Sequence, residues 1–280
     1  MTDKRSLMTG FAGRLAILGL TALLLGACGS NDKASNEYVE GSVDELYNKA
    51  VDELQAERYK QAAQLFDEVD RQHPYSIWST RAQIMSAYAN YKDGKYDDAI
   101  IGLDRFIQLH PNDRDIAYAY YLKGMCYYEQ IKDVKRDQTA AREALKTFDE
   151  MNKRFPDSRY ARDVTRKIDL INDHLAGKEM DVGRFYLKRG QQLAAIGRFR
   201  TVVDRYQTTS QVPEALLRLA EAYTELGVME EARKVTAVLG YNYPASEWYA
   251  ESYELVTGES VDRPKEEDPS FMTRALAWLF

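Results

Sequence analysis

Five stretches of the chain repeat one alternation of apolar and polar positions: ERYKQAAQLFDEVDRQHP, GKYDDAIIGLDRFIQLHP, TAAREALKTFDEMNKRFP, AAIGRFRTVVDRY and MEEARKVTAVLGYNYP. Superposed, they place a small residue at Ala62, Ala99, Ala144, Ala195 and Ala232. A bulky apolar residue follows four positions later at Phe66, Leu103, Phe148 and Phe199, and the fifth copy departs with Thr236. Pro74, Pro111, Pro156 and Pro244 each stand twelve residues after their alanine, where the fourth copy has Gln207. Twelve residues before the last two alanines come Gly183 and Ala220, each followed three positions on by a tyrosine, Tyr186 or Tyr223. Ala50 and Ala87 hold the same offset in the first two copies.

Apolar residues spaced by three and four share one face of a helix. A small residue on each of two antiparallel helices lets their axes approach to about 8 Å, and the bulky residue one turn on fills the space beside it. Proline then stops the second helix, because it lacks the N–H and restricts the residue before it. This is the tetratricopeptide pattern, in which each pair exposes an apolar edge that only a neighbouring pair can cover. The predicted fold is all-α: an α-solenoid of about five tetratricopeptide helix pairs with a concave face.

Successive alanines are 37, 45, 51 and 37 residues apart, against about 34 for an uninterrupted repeat. One insertion, QIKDVKRDQTA at 130–140, reads as a charged surface loop within the third pair. The other, SRYARDVTRKIDLINDHLAG, carries Tyr160, Val164, Ile168, Ile171 and Leu175 on one helical stripe. It predicts an additional helix over 158–178 that joins pairs one to three (43–157) to pairs four and five (179–257), with Gly177 either ending or bending it.

Before the repeats the pattern changes. Lys4, Arg5 and Arg14 precede a nearly apolar run from Leu15 to Leu25, then small Gly26 and Ala27. A basic start, an apolar middle too short to span a bilayer and a small-residue cleavage site make residues 1–27 a secretory signal. Leu25-Gly26-Ala27-Cys28 resembles the bacterial lipobox, which implies acylation of Cys28 and cleavage before it. Several acyl chains would then anchor the mature protein on a membrane. Gly29 after the cysteine, in place of the Asp that retains enteric lipoproteins at the inner membrane, implies the outer membrane, facing the periplasm. Residues 28–42 are polar and without apolar period, which suits a lipidated flexible tether.

Composition excludes more than it assigns. A net charge of −6 offers no basic face for nucleic acid. Cys126 has no partner once Cys28 is acylated, so no internal disulfide braces the fold, and its helical surroundings make it a small buried hydrophobe. His73 and His110 share one slot before the terminal proline, where Phe155 and Tyr243 stand in other copies, so they read as structural. His174 stands alone on the joining helix with no second histidine or cysteine nearby, which disfavours a zinc site. With no GxSxG, phosphate-cradling glycine loop or HExxH, the chain is read as a non-enzyme with no cofactor and no metal.

The stretches DRFIQLHP, DIAYAYYLKGMCYY and RDQTAAREALKTFDEMNKRFPDSRYARDVTRKI resemble the BamD (ComL) family of outer-membrane β-barrel assembly lipoproteins. The likeness runs from the lipobox to about Tyr241 and includes both insertions. It implies a scaffold that binds a BamA-like barrel-assembly subunit through its C-terminal pairs, works with other assembly lipoproteins, receives unfolded outer-membrane proteins in an N-terminal groove, and holds outer-membrane lipid through acylated Cys28. In FYLKRGQQLAAIGRFR the family's partner-facing arginines fall at Arg189 and Arg198, which are otherwise solvated helix-end side chains. For the groove, Tyr75, Ile77 and Trp78 in HPYSIWS and Tyr88 and Tyr91 in SAYANYKDG could hold aromatic strand ends in side-chain pockets, or serve core packing instead. Trp78, just after a proline turn, is expected to be partly exposed. A tetratricopeptide adaptor coordinating cell-wall synthesis with envelope constriction is the alternative, and it would share the repeats without the insertions.

The resemblance does not reach the end of the chain. An acidic, proline-punctuated linker leads to FMTRALAWLF, and the two together occupy 258–280. Phe271, Ala275, Trp278 and Leu279 could form one helical face, docked on a partner or a headgroup layer or folded back on the last pair.

Overall fold

A computed structural model describes residues 42–260. Cys28, the signal and tether up to residue 41, and the 261–280 tail lie outside the described residues. The first helix opens on a capping box: Ser42 Oγ accepts the Glu45 N–H while the Glu45 carboxylate accepts the Ser42 N–H, both at 3.3 Å.

Eleven helices follow in the described residues: α1 (Val43–Gln55), α2 (Tyr59–Gln72), α3 (Ile77–Lys92), α4 (Tyr96–Leu109), α5 (Ile116–Glu129), α6 (Thr139–Arg154), α7 (Ala161–Lys188), α8 (Gln192–Arg205), α9 (Val212–Glu225), α10 (Met229–Asn242) and α11 (Glu247–Thr257). Each packs on the next, and first helices of neighbouring pairs touch, α1 on α3, α3 on α5, α7 on α9 and α9 on α11. No described residue is in a strand. Five pairs stacked in series and closed by α11 make the all-α tetratricopeptide solenoid.

The repeat residues sit where their sizes demand. The five alanines and Phe66, Leu103, Phe148 and Phe199 are wholly buried. Gly183 faces the Phe199 ring, and in the third pair Gly124 faces Phe148 in the same way. The second helix of every pair ends alike: His73, His110, Phe155, Tyr206 and Tyr243 adopt nearly the same cap conformation, with φ between −121° and −137° and ψ between 44° and 56°. Their carbonyls accept the N–H three residues on, from Ser76, Asp113, Ser158, Thr209 and Ser246. The fourth pair lacks the proline, and there the Thr209 hydroxyl adds a 2.8 Å bond to the Tyr206 carbonyl.

The joining helix does not stop at 178. It runs unbroken through Gly177 for 28 residues and is also the first helix of pair four. An interior glycine costs a helix only about 1 kcal/mol, and the turn comes at Gly190, whose φ of +69° suits glycine. Val164, Ile171 and Leu175 belong to the core of pairs two and three, whereas Ala176 and Met180 belong to that of pairs four and five. The half-buried Tyr206 ring touches both. The 130–138 loop lies against this helix: Val134 approaches Gly177, and Lys178 Nζ donates to the Lys135 carbonyl at 3.3 Å. Buried Gln138 closes the loop, donating to the carbonyls of Arg136, Val134 and Asp133.

Candidate functional site

The residues expected in the N-terminal groove fall at two ends of α3. Tyr75 is fully exposed and Ile77 is 73% exposed, beside Ser76, whose Oγ accepts the Ser79 N–H at 3.0 Å and caps the helix. Trp78 is half-buried and less open than Tyr75 or Ile77. Its ring lies 4.6 Å from that of Tyr47 on α1, and the Arg81 guanidinium carbon sits 5.5 Å from its centroid. Tyr88 and Tyr91 are half-buried about 15 to 20 Å further along the same helix, at 1.5 Å per residue. Tyr91 donates its hydroxyl to Glu129 Oε1 at 3.4 Å, and its ring is 5.8 Å from that of Tyr96.

Around Tyr88 the structure assembles an aromatic face that repeat spacing did not single out. Tyr118 and Tyr121 on α5 have ring centroids 6.5 Å apart, and Tyr160 stacks on them at 5.5 and 4.8 Å. The Arg159 guanidinium covers the outer side of Tyr160 at 4.8 Å. Burial holds the Tyr118 phenol well above its ordinary pKa. Burial and the 3.0 Å hydrogen bond it donates to Asp163 push Tyr121 up to about 12. These phenols therefore stay protonated at neutral pH and act as hydrogen-bond donors with apolar rings, suited to aromatic or guanidinium side chains. The i, i+3 pair Tyr118 and Tyr121 was visible in YAYY, but aromatic spacing of this kind serves core and surface alike.

Arg189 and Arg198 are not brought together. Arg189 caps α7 and lays its guanidinium 4.3 Å from the Phe185 centroid. Arg198, nearly two turns along α8, reaches back to Glu179 Oε2 at 3.0 Å. An exposed pair of this kind contributes little to stability. It does hold the guanidinium in one orientation.

Arg189 borders a run of open apolar side chains. Phe185 is 50% exposed and Leu193, across the turn, 77%. Gln192 donates to Glu225 Oε2 at 2.6 Å and ties this turn to that of pair five, where Leu226 and Val228 are also exposed. The corresponding turn of pair two carries Asp93 and Lys95, joined by an ion pair. The edge of pairs four and five is therefore apolar where an earlier pair is charged. An aromatic, aliphatic and arginine-bearing surface matches the make-up of protein interface centres.

These features define a tetratricopeptide protein with two unshared surfaces, one of tyrosines and one of aliphatic residues with arginine. The family model described as YfiO, outer membrane lipoprotein, matches residues 39–239. The outer membrane protein assembly factor BamD of Caulobacter vibrioides is 47% identical over 90% of this chain and 84% of its own length. That of Rickettsia prowazekii is 47% identical over 86% of this chain and 96% of its own. Among solved structures, a TPR2AB domain of yeast Sti1 aligns over 76% of this chain and 81% of that one, at 13% identity and a TM-score of 0.40. The chain belongs to the BamD family.

Proposed function

We propose that this chain is a lipid-anchored periplasmic scaffold of outer-membrane β-barrel assembly, fixed through acylated Cys28. Membership of the BamD family supports the role in outer-membrane protein assembly and the association with that membrane. In this reading pairs four and five hold the BamA-like barrel-assembly subunit, with other assembly lipoproteins as neighbours. Unfolded outer-membrane proteins engage the first-helix side of pairs one to three.

The observation that carries the reading is the apolar edge formed by Phe185, Leu193, Leu226 and Val228 beside Arg189. Leaving four large apolar side chains open at one rim is unfavourable unless a partner covers them. Arg189 and Arg198 flank that contact and fix its register more than its strength. The tyrosine face supplies stacking sites for aromatic residues of an extended substrate.

Affinity purification from detergent-solubilised membranes tests this. The BamA-like subunit is expected to copurify, and Arg198→Leu or Leu193→Glu is expected to lower its yield while leaving the helical circular dichroism unchanged. An unaltered yield discards the edge as the contact. Absence of the subunit, or recovery of peptidoglycan synthases instead, overturns the scaffold reading.

A further inference from the structure

The outward face of α10 differs from its counterparts in every other pair. Five, six and nine residues after the repeat alanine, pairs one to four carry only charged or polar side chains, such as Asp67, Glu68 and Arg71 in the first and Arg200, Thr201 and Asp204 in the fourth. Pair five has Ala237, Val238 and Tyr241. All three are exposed, Tyr241 by 87% and Val238 by 46%. They lie at i, i+1 and i+4 on one helical stripe. The same backbone positions carry polar or charged side chains four times, some of them bonded to a first helix, as Asp67 is to Ser86 and Asp104 to Lys123, so the repeat itself does not demand apolar residues there.

We propose that the chain's own terminal segment, residues 271–280, docks on this stripe. The register of α11 on α10 fixes where that segment starts. Tyr249 packs against Gly240, and Ser252 Oγ meets Thr236 Oγ1 at 2.6 Å, so the two helices run antiparallel. The end of α11 at Thr257 therefore lies beside the beginning of α10. Gly258, at φ +77°, ends α11 there. Twelve residues, 259–270, separate that point from Phe271, a span of up to about 40 Å when extended. The whole of α10 is only about 21 Å long, so the linker reaches any part of it.

Chemistry agrees with reach. Phe271, Ala275, Trp278 and Leu279 fall at i, i+4, i+7 and i+8, one apolar face about 12 Å long in a helix, enough to cover a stripe of about 6 Å. Glu266, Glu267 and Asp268 directly precede the segment, and Arg233 is exposed at the end of α10 where the linker emerges, beside Lys234 in its ion pair with Glu231. A tether of this length holds the segment at an effective concentration in the millimolar range. This inference is independent of the assembly reading, since it concerns only the chain's contact with itself.

The test uses the mature chain with Cys28→Ser and a benzophenone amino acid in place of Trp278. Irradiation is expected to cross-link residue 278 within one chain to 233–242, and an equal mixture of light and heavy isotope-labelled chains should give no mixed species. Val238→Glu with Tyr241→Glu should lower the yield roughly tenfold or more, with helical circular dichroism unchanged. Removing 269–280 should raise amide exchange in 229–242. Cross-links that map elsewhere, that join two chains, or that survive the double substitution overturn the proposal. So does transfer of the cross-link to lipid in phosphatidylethanolamine and phosphatidylglycerol vesicles.

Discussion

Gly183 on α7 lies under the ring of Phe199 on α8, where an added methyl carbon would sit no more than 2.8 Å from three ring carbons. Phe199 is wholly buried and cannot retreat. Gly183→Ala is therefore expected to destabilise by about 3 kcal/mol through overpacking. Gly197, two residues from the same phenylalanine and on the exposed side of α8, has nothing within 4 Å of such a carbon. Gly197→Ala should instead stabilise by about 0.5 to 1 kcal/mol by removing backbone freedom. Urea denaturation of the two variants checks the contrast, and equal shifts would contradict it.

The helix pairs were legible because their contact is set by residue size, which recurs at fixed spacing. Gly124 plays the part of Gly183 in the third pair, yet it stands twenty residues before Ala144 instead of twelve. The 130–138 loop displaces it, so a fixed offset points to Lys132. The continuity of α7 was hidden for another reason. From composition alone Gly177 reads as an end or a bend, whereas here helix packing on both sides overrides its weak propensity. Of the proposed contact, Arg189 and Arg198 were singled out only through resemblance, and Leu193, Leu226 and Val228 look like ordinary turn residues until the two turns are set side by side.

Thr236 interrupts the run of bulky residues for a local reason. Its hydroxyl and that of Ser252 on α11 hydrogen-bond at 2.6 Å, and both residues are buried. Thr236→Val or Ser252→Ala alone leaves one buried hydroxyl unpaired and is expected to cost about 1 to 3 kcal/mol. The double substitution should cost less than the sum by about 1 kcal/mol or more. A double-mutant cycle in urea reads this directly, and additive losses would show that the pair is not coupled.

Cys126 is wholly buried, and burial pushes its thiol up to about 12. At pH 8 only about one in ten thousand is thiolate, the reactive form. Iodoacetamide should therefore label the folded, Cys28→Ser chain only as fast as it opens. The linkage has a definite sign: the folded thiol keeps its proton to higher pH than the unfolded one, whose pKa is near its ordinary value of about 9. This contribution is fully present below pH 9 and is lost as pH rises toward 12. Cys126→Ala should remove that part of the alkaline slope, and an unchanged slope would refute its origin in this thiol.

Glu57 turns the chain between α1 and α2 with φ +58°, in the left-handed region. The equivalent turns of pairs two, four and five use Gly94, Gly190 and Gly227 at +74°, +69° and +73°. A side chain there costs about 1 to 2 kcal/mol, and glycine returns part of that through the greater freedom of the unfolded chain. Glu57→Gly is expected to stabilise by a net 0.5 to 1 kcal/mol, or about that, whereas Glu57→Val should destabilise because a β-branched residue resists positive φ. The neighbouring Arg58 to Glu53 pair is untouched by either change. Thermal unfolding should place the glycine variant above and the valine variant below the parent chain, and the reverse order would mean that the Glu57 side chain supports the turn by a contact stronger than its backbone cost.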